Sequence, residues 1–268
     1  MLTRRRWIAA VGVTTMGAVG TSVESTTART IDFSNPELPD SFPTTAPELA
    51  QQIVGASHFD LAKVEALLKS NPSLARASWD WGFGDWETAI GAASHMGRGD
   101  IIEVLIEHGA TPTVFTWAAL DQIDVVRAIC VAHPGLQSQW GPHGITLLKH
   151  AEAGKANRVI DYLQELGGAD QPQTEVVLSD AEKSPYIGTY DFGNGLDDAF
   201  VIAPGKTADR LGLRRGEGTP RFLACLKPHT FTVFGCQHVR VSFQVVDDVV
   251  RQLTVDDGTV NVSARRAG

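Results

Sequence analysis

Histidine has the widest chemical reach of the residue types here, and it occurs at positions 58, 95, 108, 133, 143, 150, 229 and 238. A neutral imidazole can ligate a metal or move a proton, given the right neighbours. None of these histidines stands in HxxxH or HExxH spacing, and none lies near a cysteine pair, so no zinc motif is readable. His95, His143 and His150 approach one another only if neighbouring repeats stack them. Histidines of stacked repeats ordinarily hydrogen-bond to loops, so the expectation is no metal and no cofactor. A nucleophile is equally hard to find, since neither a GxSxG elbow nor an SxxK motif is present. Gly193-Asn194-Gly195 lacks the strand-to-helix setting of a phosphate loop and reads as a turn. Asp197-Asp198 and Asp247-Asp248 fall at predicted hairpin turns, and Asp256-Asp257-Gly258 is itself a hairpin signal. No catalytic residue is assigned.

Three cysteines, Cys130, Cys225 and Cys236, are too few for a disulfide scaffold, and none forms a CxxC. Cys130 lies in an apolar helical run and reads as a small core residue. Cys225 and Cys236 fall in a β-rich tail and can pair in an oxidising compartment, if their Cβ atoms face each other. The 268 residues carry a net charge of −8. Such a body repels phosphate backbones, which excludes nucleic acid as a partner class. It also lacks the basic amphipathic stripe of a membrane-surface binder.

The elements that must position any site come in two kinds. From about residue 48 to 172 the apolar period is helical. Leu61, Val64, Leu67 and Leu68 make one stripe, and Ile101, Ile102, Leu105 and Ile106 another, stopped by Gly109. Residues 123–136 end at His133-Pro134-Gly135, and residues 157–170 end at Gly167-Gly168. Aligning Ile102, Val126 and Val159 gives spacings of 24 and 33 residues. Leu105-Ile106-Glu107-His108-Gly109-Ala110 resembles the second helix and Gly-Ala exit of ankyrin repeats. Thr88-Ala89-Ile90-Gly91-Ala92-Ala93 and Thr146-Leu147-Leu148-Lys149-His150-Ala151 are similar to that family's Thr-Pro-Leu-His-x-Ala opening, without its Pro or its His. The resemblance implies stacked helix pairs with a concave face that binds another protein.

Five of the six tryptophans lie in this block, and three of them crowd, with Phe83, into Ser78-Trp79-Asp80-Trp81-Gly82-Phe83-Gly84-Asp85-Trp86. In the repeat frame this is the finger that leads into an inner helix. Aromatic rings offer large contact area at low entropic cost, so a concave binding strip is expected from Trp81, Phe83, Trp86, Trp117 and Trp140. Asp80, Asp85 and Asp121 would edge it, and His143 belongs to the same partner-binding set. The competing reading is that the rings plug gaps between irregular repeats, with Trp86 and Trp117 as core residues that each begin an inner helix.

The chain begins with Arg4-Arg5-Arg6 and an apolar stretch from Trp7 to Gly20, too short and too interrupted to span a bilayer comfortably. Arg4-Arg5 followed by Trp7-Ile8 resembles the twin-arginine export signal. That implies residues 1–28 as a signal peptide and a periplasmic or secreted protein, with residues 29–47 a Pro/Ser/Thr-rich linker.

Over residues 183–265 the period changes to two. About eight short strands with tight links suggest an antiparallel meander or small barrel. Tyr186-Ile187-Gly188-Thr189-Tyr190, followed by hairpins and a Phe-rich strand, resembles the lipocalin-like β domain appended to β-lactamase-related serine hydrolases. That domain brings no catalytic residues of its own. The fold expected is α+β: an ankyrin-like helical repeat array followed by a C-terminal antiparallel β meander or small barrel. The function expected is a non-catalytic protein-protein interaction or scaffold role in the cell envelope. The alternative is small-molecule binding, or weak catalysis, in the β domain or the cleft between domains.

Overall fold

The computed structural model describes residues 41–171, 173–205 and 210–268. The Arg4-Arg5 signal and most of the linker lie outside them. Among the described residues the chain is α+β, and no helix is long and apolar enough to cross a membrane.

Helices come in pairs: α1 (Pro47–Ala56) with α2 (Leu61–Ser70), α3 (Ala89–His95) with α4 (Gly99–Glu107), α5 (Val114–Ala119) with α6 (Ile123–Ala132), and α7 (Leu147–Ala153) with α8 (Asn157–Leu166). Local chemistry sets their ends. The Asp60 side chain accepts from the Lys63 N–H at 3.0 Å to start α2. Thr88 accepts from Gly91 N–H at 3.0 Å and Thr146 from Lys149 N–H at 3.3 Å, starting α3 and α7 alike. Gly109 and Gly167, at φ +90° and +73°, take the left-handed backbone just past α4 and α8, as the sequence indicates.

The apolar stripes pack as expected, in two clusters. Ile53, Val64, Leu68, Ile90, Ile101, Ile102 and Leu105 fill the first, and Val126, Leu147, Val159 and Leu163 the second, with Cys130 buried in it. The first inner helices stack in order, but α3 also touches α7 across the six-residue α5. That shortcut brings the start of the fourth pair against the second. Between the first pair and α3 runs a finger of two short strands, β1 (Ser78–Asp80) and β2 (Trp86–Thr88), paired antiparallel with Asp80 opposite Trp86.

After the short helix α9 (Asp180–Lys183) the strands are β3 (Gly188–Asp191), β4 (Phe200–Pro204), β5 (Leu211–Arg215), β6 (Arg221–Lys227), β7 (Thr230–Val233), β8 (Cys236–Val246), β9 (Val249–Asp256) and β10 (Asn261–Arg266). They form a closed barrel in sequence order, with β10 pairing back onto β3, so the barrel alternative of the sequence reading holds over the meander. Alternate residues point inward. Tyr190, Ile202, Leu213, Leu223, Phe231, Val241 and Leu253 form the interior, and the rings of Tyr186, Phe231 and Phe243 pack 4.7–5.5 Å apart. The acidic pair Asp247-Asp248 makes the β8–β9 turn with both residues at positive φ.

Cys225 and Cys236 are free thiols, both buried. Cys225 pairs with Phe231 on β7, while Cys236 pairs with Val233 near that strand's far end. A whole strand separates them, which leaves the possible disulfide unformed.

Candidate metal centre

Glu87 is the anchor. Its strand alternates, so Glu87 points inward and is fully buried while Trp86 points out and is 63% exposed. A buried carboxylate is costly unless it is paired. Three histidines from three other segments meet it. His95 closes α3 and places Nε2 2.8 Å from Glu87 Oε1. His143, in the 3₁₀ turn Pro142–Gly144 before α7, places Nε2 3.3 Å from the same oxygen. His58, just past α1, places Nε2 3.4 Å from Glu87 Oε2. One ligand atom from each of the four lies within 4.8 Å of every other.

The outward ring nitrogens of His58 and His143 are already committed. His58 Nδ1–H donates to the carbonyls of Val54 and Gly55, both at 3.1 Å. His143 Nδ1–H donates to Asp85 Oδ2 at 2.6 Å, while the His143 backbone N–H donates to Asp85 Oδ1 at 2.9 Å. His143 holds a left-handed backbone, φ +59°, and this double grip maintains it. The Nε2 atoms are thereby left facing the carboxylate. Trp81 covers the cluster: its Nε1–H donates to Glu87 Oε2 at 2.8 Å, and its ring lies 6.2 Å from His58 and 6.3 Å from His143.

Charge is balanced across the group. Burial would raise the Glu87 carboxyl, but hydrogen bonds from His143 and His95 outweigh it and bring the pKa to about 2. Burial would likewise raise Asp85, but His143 and Arg221 hold it well below the ordinary carboxylate range. His143 is pushed up to about 9, since its bonds to Asp85 and Glu87 outweigh burial. His58 moves down, chiefly through burial, against the opposing pull of the Glu87 charge. His150 stands behind the cluster, its ring 6.2 Å from that of His95. Burial lowers it to about 4; its Nδ1–H donates to the Thr146 carbonyl, and its buried Nε2 has no hydrogen-bond partner among the described residues.

Donors of this kind suit a borderline divalent ion. Zinc takes imidazole nitrogen and carboxylate oxygen at about 2.0 Å, so the edge of its tetrahedron is about 3.3 Å. The His143 Nε2–Glu87 Oε1 separation, 3.3 Å, matches that edge; His95 Nε2 stands closer to the same oxygen, at 2.8 Å, and His58 Nε2 lies 3.4 Å from the other oxygen. Asp85 on His143 and the two carbonyls on His58 are the outer partners that fix ligand rings in metal sites.

The structure sends the expected aromatic strip to different places. Trp81 packs on the first helical core, Phe83 on the barrel core and Trp117 on the second helical core. Trp140 donates its Nε1–H to the Gln171 carbonyl. Trp86 opens a strand, not a helix, and is exposed, where the competing reading made it a core residue. Asp85 is buried and bonded to His143, so it does not edge a surface. Asp121 holds the start of α8, accepting from the Val159 N–H at 3.0 Å and pairing with Arg158; Asp80 accepts from the Gly82 N–H within the finger. Of the expected partner-binding set, Trp81, Asp85 and His143 meet at the cluster.

The sequence reading allowed His95, His143 and His150 to approach one another across the repeats, and the His95 ring does lie 5.5 Å from His143 and 6.2 Å from His150; it gave His58 and Glu87 no place in a site and expected no metal. Comparison with protein-family models, curated proteins and solved structures found no match.

Proposed function

We propose that this chain binds a divalent transition cation, zinc in the first instance, through His58, Glu87, His95 and His143. The observation that carries this reading is the convergence of three Nε2 atoms on one fully buried carboxylate, with the Nδ1 atoms of His58 and His143 turned outward to acceptors. Four protein donors complete a tetrahedral shell, the pattern of a structural site. The ion would tie the first helix pair, the finger, α3 and the turn before α7 into one unit.

The test is thermal unfolding of chelator-treated protein with and without added zinc. At a free concentration near a thousand times Kd, the bound ion contributes about 4 kcal/mol, which for a chain of this size raises Tm by about 10 °C. Unchanged Tm with zinc, cobalt and nickel would sink the proposal. Protons compete for the same atoms, and His143 holds its proton up to about 9. Affinity for zinc should therefore rise about tenfold per pH unit between about pH 6 and about pH 8 as that proton is displaced. Chelator-competition titrations at several pH values check this.

A second reading, capture of another protein by an ankyrin-like array in the cell envelope, is favoured by Trp86 alone, 63% exposed on the finger. Trp86→Ala should leave the unfolding free energy measured in urea within about 0.5 kcal/mol of wild type while removing capture of an envelope partner. Capture that survives the change would argue against that surface.

A further inference from the structure

We infer that Arg221 of the barrel is a positioning residue for the cation centre, acting through Asp85 on His143, so that cation binding and seating of the barrel on the helical array are linked. The inference rests on the metal reading above. Asp85 is 7% exposed and has two oxygens with separate tasks. Oδ1 accepts the His143 backbone N–H; Oδ2 accepts His143 Nδ1–H and a guanidinium N–H of Arg221. Arg221 is the first residue of β6, and its side chain is only 10% exposed. A buried guanidinium placed there fixes the carboxylate that in turn fixes the ring. The helical array therefore supplies all four donors, and the barrel supplies the group that orients one of them.

Backbone contacts carry the same conclusion independently. The turn that holds His143 abuts the β7–β8 turn so closely that a Cβ on Gly235 would lie 2.8 Å from the Gly144 nitrogen and from the His143 carbonyl carbon. Gly235 N–H also donates to Gln173 Oε1 at 3.0 Å, which ties that turn to the segment joining array and barrel. His143 is thus held from one side by the finger and from the other by the barrel. Moving the barrel must move this ligand. By reciprocity, an ion that fixes the ligand must favour the seated barrel by the same factor.

The experiment uses the full chain, stripped of metal and titrated with cobalt(II), whose visible absorption reports ligand geometry. Wild type, Arg221→Ala, Arg221→Lys and Gly235→Ala are compared, with far-UV circular dichroism to establish folding. Arg221→Ala should weaken cobalt binding about tenfold and shift the absorption band. Arg221→Lys, which keeps the charge, should recover most of both. Gly235→Ala changes no charge and should also weaken binding, and it decides the matter if Arg221→Ala fails to fold. Cobalt should slow amide exchange over residues 221–236 in wild type. Wild-type affinity and spectrum in Arg221→Ala, or in Gly235→Ala, would overturn the linkage, as would failure of Arg221→Lys to recover. Absence of cobalt binding by wild type would instead overturn the metal centre itself.

Discussion

Glu87→Gln should abolish zinc binding and, in chelator-treated protein, lower stability by about 3 kcal/mol. Both effects follow from where the carboxylate sits. Glu87 is fully buried and meets His58, His95, His143 and the Trp81 indole. The amide keeps the shape, but its single oxygen can replace only one of the two acceptors that Trp81 and His95 use, and it removes the charge that balances a cation among the three Nε2 atoms. Without an ion, the protonated His143 is left with Asp85 alone, which Arg221 already engages. Loss of one partner from such a buried group costs more than the pair contributes, because the other charge remains desolvated. Urea denaturation in the presence of chelator measures the loss of stability, and the zinc-dependent shift in Tm the loss of binding. A variant that keeps the wild-type shift would place the ion elsewhere.

Gly154→Ala is the second large effect, again about 3 kcal/mol, and it acts through backbone. Gly154 follows α7, where a Cβ would lie 1.9 Å from the Ala119 carbonyl oxygen at the end of α5 and 2.8 Å from the Ala119 Cα. No rotamer relieves a Cβ contact, so α7 must withdraw from α5. His150 lies one turn earlier on α7, with its ring 4.8 Å from that of Phe115 on α5 and near His95. Withdrawal therefore reaches the back of the cation centre, and zinc affinity should fall together with the urea midpoint. A wild-type midpoint would mean that the two helices are not in this close approach.

The elements were legible in the sequence because they are local. Stripes such as Ile101, Ile102 and Leu105 and stops such as Gly109 declare helices without reference to the rest of the chain. Strands such as Thr230–Val233, bounded by turn residues, declare the barrel in the same way. The centre as a whole was not legible, because its members lie far apart in sequence and meet through the contacts of α3 with α1, with β2 and, across a short α5, with α7. The repeat frame brings His95 toward His143, but nothing in the spacing records that His58 and Glu87 join them. The alternation of the finger carries a further signal. In the finger, Asp85 and Glu87 alternate with Gly84, Trp86 and Thr88, so a strand there must send either the carboxylates or the tryptophan inward. Apolar surface argues for burying the tryptophan. The three histidines and Arg221 reverse that choice by supplying partners that make buried carboxylates stable.

X-ray absorption on the chain loaded with one equivalent of zinc tests the account most directly, because it reads donor type and count at the ion. The account predicts one ion per chain in a four-coordinate shell of nitrogen and oxygen at about 2.0 Å, with imidazole scattering from three rings. Failure to retain zinc after desalting would contradict it, as would sulfur at about 2.3 Å, which would assign the ion to the cysteines.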